Sequence, residues 1–461
     1  MSEADVLQEE AFDPRHQGFL VNVNLVFISS FAVNVLSFAI VVAIARLLGP
    51  DGRGVTSLYQ TGINGAYAFV SFGVAVGALY YVSRSEVTPR QAMEAGLTGT
   101  LGSAILAGAG VVILGLAAGP QLRDAGVPYW TILIAIPLVV QFRLVEVILR
   151  AEGHFMAVSV MELMVPATVL IGFLAVELGD GLTISRAIVI WSLSPLLSTL
   201  LGYWLLGRSA IPRRFALDAT SLRIMRFGLQ GQMGNIVQLL NYRLDSYLVL
   251  LFVDAAGVGI YSVGVALSEG LWLVANSVAI VLIPKLAASS TEYAGRTSAL
   301  VSRSTILITA LGAGALAIVS PVLVPLLFGA KFDDSIVPLL CLLPGVVALS
   351  GTKVLSAYVF SQGKPLTNAW IGISTLAITL IGDFALIPWL GVPGAAIASS
   401  IAYTTSLVLT LRAYSRLSGL PALKALLPQS DDVGMYVDGA RSVIARLRRP
   451  ASPGAGAAIG G

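Results

Sequence analysis

The chain has 461 residues, 56% of them hydrophobic and only 11% charged, whereas a soluble domain carries about 25% charged residues. Too few polar side chains exist to cover a water-soluble globule of this size, and the apolar content also excludes dominant disorder. The net charge of +3 gives no reason to expect nucleic-acid binding, and one cysteine, Cys341, with two distant histidines, His16 and His154, excludes a disulfide framework and makes a metal site unexpected.

What remains is an all-α polytopic membrane protein. The acidic start MSEADVLQEEAFDP is not followed by a short apolar core with a cleavage site, so no cleavable leader is expected. Apolar runs then predict twelve spans, at 19–46, 55–82, 93–118, 128–150, 155–177, 183–206, 222–252, 257–284, 299–327, 335–360, 366–388 and 393–415. The division expected is a cytoplasmic segment at 1–18, a first lobe of helices 1–6 at 19–206, a basic linker at 207–221, a second lobe of helices 7–12 at 222–415 and a basic, low-complexity tail at 416–461. In the tail, 435–449 reads as an interfacial amphipathic helix and 450–461 as disordered, or the whole as a solvated tail without a role. Of the 28 Lys and Arg, 20 fall on the side of the N-terminus and five on the other. That bias predicts cytoplasmic termini.

The two lobes share local sequence. LGPDGRGVTSL (48–58) aligns with VDAAGVGIYSV (253–263) at an offset of 205, which pairs Gly52 with Gly257 and Gly54 with Gly259. PLVVQFRLVEV (137–147) aligns with PGVVALSGTKV (344–354) at nearly the same offset. Odd spans pair with odd, so the duplication is a parallel repeat about an axis along the membrane normal, the plan of many secondary transporters. Coincidence in Gly- and Val-rich sequence is the alternative.

Ionisable groups inside spans are functional candidates by default. They are Arg143, Glu146, Glu162, Arg243, Asp245, Glu269, Lys353 and Asp383. In span 7, Gln230, Gly234, Gln238, Asn241 and Asp245 recur at helical spacing and form one polar face. Arg243 falls on the opposite face. In span 8, Glu269, Trp272 and Asn276 form a second stripe, and the repeat places Asn64, Tyr67 and Ser71 of span 2 at equivalent positions. Arg143, Glu146 and Arg150 make a charged stripe in span 4, and the repeat sets Lys353 against Glu146. Span 1 adds Asn22, Asn24, Ser30 and Asn34. Glu162 and Asp383 stand alone, with a carbonyl freed by Pro166 as a partner for Glu162. The stripes are expected to line a water-filled path. Interhelical hydrogen-bond glue is the other reading, favoured for isolated Asn and Ser. No ATP-binding P-loop, HExxH or GxSxG occurs, so neither ATP hydrolysis nor an enzymatic site is expected.

Three segments carry a family resemblance: ARLLGPDGRGVTSLYQ (45–60), FGLQGQMGNIVQLLNYRLDSYLVLLFVDAAGVGIYSVGVALSEGLWLVANSVAIVLIPKLA (227–287) and SQGKPLTNAWIGISTLAITLIGDFALIPWLGVPGAAIASSIAY (361–403). Together they resemble bacterial polysaccharide flippases of the multidrug/oligosaccharidyl-lipid/polysaccharide exporter superfamily. The resemblance implies a V-shaped pair of six-helix lobes in the bacterial inner membrane. It implies transfer of undecaprenyl-diphosphate-linked oligosaccharide between leaflets by alternating access. On that reading Arg143, Arg243 and Lys353 bind phosphate or acidic sugar, and Asn64, Tyr67, Gln230, Gln238, Asn241, Trp272 and Asn276 line the path. Asp245, Glu269 and Glu146 couple transport to Na⁺ or H⁺. The chain departs from the cationic lumen associated with such flippases, since three in-span cations face five acids. The expected partners are the lipid-linked sugar, membrane lipid and the polymerase and glycosyltransferases of the same assembly line, with the protein itself a monomer. An organic-cation exporter that uses the acids is the alternative transporter, and a non-transporting scaffold acting through its tail is the third reading.

Overall fold

The computed structural model describes residues 14–427 and 429, apart from 209 and 288. The amphipathic helix expected at 435–449 and the segment at 450–461 lie outside the described residues, as do the side chains of Asn22 and Asn24. No strand occurs among the described residues, and every one of the twelve predicted spans is helical.

A single helical stretch, α1 (Pro14–Val70), carries spans 1 and 2 joined at a sharp turn, where Gly49 takes a φ of +70° just before Pro50. Glycine is needed there because an L side chain disfavours that backbone region. Span 2 then breaks at 71–73 and resumes as α2 (Val74–Ser83), with Phe72 at φ 51° and Gly73 at 62°. α3 (Pro89–Asp124) starts at a capping box in which Thr88 and Gln91 each satisfy the other's backbone N–H. α4 (Ile132–Ala151), α5 (Phe155–Glu177) and the pair α6 (Ile184–Leu193) and α7 (Pro195–Leu206) complete the first six spans.

The basic connection, 207–218, is strapped down rather than free. Thr98 donates to the Ala216 carbonyl at 2.8 Å, and Arg214 reaches the Glu94 carboxylate at 3.4 Å. Ala210 and Ala216 are buried. Asp218 caps α8 (Ala219–Phe252) by accepting from the Ser221 amide at 2.9 Å. Those hydrogen bonds to its charged form hold the Asp218 carboxyl below its ordinary pKa.

Span 8 is broken as span 2 is. α9 (Ala255–Glu269) stops and α10 (Trp272–Ala287) starts after a gap of two residues. The remaining helices are α11 (Thr291–Phe328), α12 (Ile336–Ser361), α13 (Pro365–Leu390) and α14 (Val392–Ser418). Nine described helical stretches are long and apolar enough to cross a membrane, or ten counting the broken span 8. The difference from twelve has two causes. Spans 1 and 2 fall in one continuous stretch, and α8 is long enough but too polar to count.

The chain forms two compact units. The first comprises residues up to Ser268 with Ala317–Leu342 and Gly372–Ala402, and the second Glu269–Leu316, Leu343–Ile371 and Tyr403 onward. In the first unit a core of Val82, Met93, Leu144, Val145, Ile148 and Met161 joins α2 to α5. Within that unit the repeat becomes visible as contact. A Cβ on Gly54 would run into the carbonyl of Ala255, and one on Gly259 into the carbonyl of Pro50. The offset of 205 carries Pro50 to Ala255 and Gly54 to Gly259, so the two contacts are copies of each other, exchanged by the repeat. A second close approach, Gly73 against Gly228, lies at the break in span 2.

The second unit has its own core, in which Tyr358 and Tyr414 pack edge to face at 5.3 Å and Tyr414 donates to the Gly295 carbonyl at 2.9 Å. The segment after α14 folds back onto this core. Arg303 donates to the Lys424 carbonyl at 2.9 Å, and Ser415 to the Leu420 carbonyl at 2.7 Å. Ala425 is fully buried. The tail expected from 416 therefore contributes structure at least as far as Leu426.

Two predictions follow from the packing. Gly54→Ala and Gly259→Ala each insert a methyl against backbone and should lower stability by about 1–3 kcal/mol or more, read by thermal unfolding in detergent. Gly234→Ala meets open space and should be neutral or stabilising. A chain ending after Leu427 should stay monodisperse on gel filtration, whereas one ending after Gly419 should not, because it leaves the site of Ala425 empty.

Candidate functional site

Four predicted path residues are exposed in the first unit. Asn64 projects from the second segment of α1, and Gln230, Gly234 and Gln238 recur along α8. A helix that turned this face to lipid would leave amides without partners in hydrocarbon. The same stripe continues inward to buried residues. Asn241 donates to the Gly372 carbonyl at 3.0 Å, so it ties α8 to α13 rather than lining the exposed face.

Arg143 lies on α4, its side chain 48% exposed, with Tyr67 of span 2 within electrostatic reach. It is one end of a four-membered chain of alternating charge. Arg143 meets Glu146 at 2.8 Å, Glu146 meets Arg150 at 2.7 Å, and Arg150 crosses to Glu162 of α5 at 2.9 Å. Spacings of three and four residues place the first three groups on one helix face. Glu146 is 2% exposed and shared between two guanidinium groups. Glu162 does not depend on a carbonyl freed by Pro166, and it does not stand alone, because the packing of α5 on α4 brings Arg150 to it. Two arginines and two glutamates make the chain neutral as a whole, yet Arg143 keeps an open face. Beside it, Tyr203 donates to Gln141 at 2.7 Å and Gln141 to Thr100 at 2.6 Å.

Asp245 belongs to a different cluster. It is 3% exposed and accepts hydrogen bonds from the Tyr261 hydroxyl, the Ser399 hydroxyl at 3.3 Å and the Ser246 amide at 2.7 Å. Arg243 lies within electrostatic reach of it, although neighbours at i and i+2 point apart on a helix. Asp383 of α13, expected to stand alone, lies in the same electrostatic neighbourhood. It is fully buried, and neither carboxylate oxygen has a hydrogen-bond partner among the described residues. A buried carboxylate without a partner is costly to keep charged.

In the second unit the Lys353 ammonium lies 5.0 Å from the centroid of the Trp272 ring, a cation–π arrangement, and Trp272 packs edge-on to Tyr403 at 6.2 Å. Asn276 is exposed on α10 and Lys353 is half-buried. The continuous stripe Glu269–Trp272–Asn276 is interrupted, since Glu269 ends α9 and the other two lie on α10. Ser71, the third residue of the equivalent stripe in span 2, falls in the break at 71–73 and is buried. In both halves the break comes where helical spacing alone predicts a continuous face.

Sequence reasoning missed Tyr261, Ser399 and the electrostatic proximity of Asp383 to Asp245. The only signal was burial of an isolated acid in an apolar span. Groups of three or more His, Cys, Asp or Glu able to hold a metal are absent among the described residues.

Comparison with known proteins adds a family and a fold. Residues 19–290 match the family described as polysaccharide biosynthesis protein. No curated protein matches in sequence. A lipid II flippase, MurJ, in an inward closed conformation superposes with a TM-score of 0.69 at 16% identity, covering 86% of this chain and 90% of that one. An inward-facing multidrug resistance MATE family transporter gives 0.67 at 17% identity, covering 84% and 95%. An outward-facing one gives 0.59 at 16% identity, covering 86% and 96%. At these identities the likeness establishes the fold.

The charge chain makes a graded prediction. Glu146→Gln leaves two guanidinium groups competing for Glu162 and should destabilise by about 1–3 kcal/mol. Arg143→Ala removes a half-exposed partner and should have an effect below about 1 kcal/mol. Equal melting shifts for the two variants would contradict the assignment of Glu146 as the shared centre.

Proposed function

The chain belongs to the polysaccharide biosynthesis protein family, and from that premise we propose that it moves undecaprenyl-diphosphate-linked oligosaccharide across the bacterial inner membrane by alternating access. The observation that carries the reading is α8, a 34-residue helix whose exposed side carries Gln230, Gly234 and Gln238 next to Leu229 and Met233. A sugar needs a hydrated surface of hydrogen-bond donors and acceptors, and neutral amides supply one without trapping the cargo. Arg143, held by Glu146 but open on one side, would take the anionic diphosphate bidentately, and Lys353 over Trp272 offers a second cation backed by a ring suited to sugar stacking.

The placement of four of the five in-span acids supports a sugar over an organic cation; the fifth, Glu269, ends α9 half-buried. Glu146 and Glu162 are paired with arginine, and Asp245 and Asp383 are buried. None of these four is an exposed carboxylate free for a drug. Asp245 and Asp383 are instead the proposed coupling site, binding Na⁺ or a proton between them. The basic connection at 207–218 and the termini would lie in the cytoplasm. The paired contacts of Gly54 and Gly259 would then close the outer end of the first unit and part when the path opens outward.

The test is genetic. Deletion should abolish surface polysaccharide and leave lipid-linked oligosaccharide in the cytoplasmic leaflet, with unchanged drug susceptibility. Arg143→Ala and Lys353→Ala should reproduce that loss at normal protein levels, and Asp383→Asn should abolish gradient-driven transfer while sparing substrate binding. Drug hypersensitivity with intact polysaccharide would favour an exporter. Loss of function on truncation after Leu427, with normal expression, would favour a scaffold.

A further inference from the structure

A cavity of about 600 Å³ opens inside the first unit, bounded by span 2, α3, α4 and the end of α8. Leu58, Ile63 and Ala66 form one wall, Leu106 and Gly110 another, and Leu250 a third. No Asp, Glu, Lys or Arg lines it. Two of its three lining tyrosines have their hydroxyls engaged, Tyr59 with Thr131 at 2.7 Å and Ser192 at 2.9 Å, and Tyr247 with the Leu58 carbonyl at 3.4 Å; the third is Tyr129. The volume is roughly four times that of the ~150 Å³ apolar cavity that stays dry and admits benzene. A space of this size and polarity takes hydrocarbon rather than water. It is not sealed, since Leu106 and Leu250 at its edge remain 45% and 42% exposed.

Its position relative to the polar path matters most. Val55, Tyr59, Gly62, Ala66 and Val70 put one face of span 2 on the cavity. Asn64 and Tyr67 lie about 130° around the same helix, at about 100° per residue. Arg143 is within electrostatic reach of Tyr67. One helix, with a diameter of about 10 Å, thus presents a polar face beside a cation and an apolar face on a cavity. That is the pattern of an amphiphile with an anionic head and a hydrocarbon tail.

We propose that this cavity seats the first isoprene units of the substrate's polyprenyl tail, so that the protein holds part of the tail during transfer. The inference rests on the polyprenyl-linked substrate assigned above. The probe is therefore a photoactivatable polyprenol without phosphate or sugar, so that a negative result would overturn the tail site and leave the headgroup reading standing. The full chain in nanodiscs is photolabelled, in parallel, with that polyprenol and with a photoactivatable phosphatidylcholine, and the labelled peptides are mapped. The polyprenol should label Val55–Val70 and Leu106–Leu122, and unlabelled polyprenol in excess should suppress that labelling, whereas phosphatidylcholine should not. Gly110 has open space around its Cβ position, so Gly110→Trp should fill the cavity and reduce labelling about tenfold. Ala66→Phe is a second filling variant should the first fail to fold. Gly314→Trp, also directed into open space but in the second unit, should change nothing. Labelling that survives both filling variants in monodisperse protein, or phosphatidylcholine that labels the same peptides and competes equally, would overturn the proposal.

Discussion

The molecule depends on a backbone-to-backbone contact that only glycine permits. Between spans there is no hydrophobic gain from excluding lipid, so helices associate through close packing of small residues. Gly54 and Gly259 bring span 2 and span 8 to the carbonyls of Ala255 and Pro50. The contact is made twice because the sequence is duplicated, and its two copies are related by the repeat. It fixes span 2 beside the start of span 8, and span 2 carries Asn64 and Tyr67 on one side and the apolar cavity on another. A contact built from dispersion and weak C–H···O interactions holds no ion pair that would resist separation, which suits a closure that must open.

Charge in the membrane is managed by two different means. The chain Arg143–Glu146–Arg150–Glu162 cancels itself, so its members can sit between apolar helices while Arg143 keeps one side open to an anion. The Asp245 cluster is built differently, from hydroxyl and amide donors with Arg243 within electrostatic reach. Asp383 has no hydrogen-bond partner among the described residues. The first arrangement suits recognition of a charged cargo. The second suits a site that gains and loses a small cation.

Much of this was legible in the sequence. Apolar runs located the helices, and the 205-residue offset equated Gly54 with Gly259 before their contact was visible. Spacings of three and four joined Arg143, Glu146 and Arg150, because groups on one helix are placed by the helix itself. What was not legible depends on how helices rotate against one another. Glu162 looked solitary until α5 packed on α4. Asp383 is 138 positions from Asp245, and no local pattern relates them. Lys353 aligned with Glu146 in the repeat, but its neighbour is Trp272. The breaks at 71–73 and after Glu269 lie in apolar, helix-compatible sequence, so a continuous stripe was the natural reading. The docking of Ala425 was hidden in a segment whose composition reads as tail.

The most direct test of the account is whether the glycine contact opens during transport. Spin labels at Asp51→Cys and Val253→Cys, both exposed positions flanking it, with Cys341→Ser to remove the native thiol, report the separation by pulsed electron resonance in nanodiscs. The account predicts a short distance in the resting protein and a second, longer population that grows when lipid-linked oligosaccharide is added. A single short distance that no substrate or ion gradient changes would contradict it.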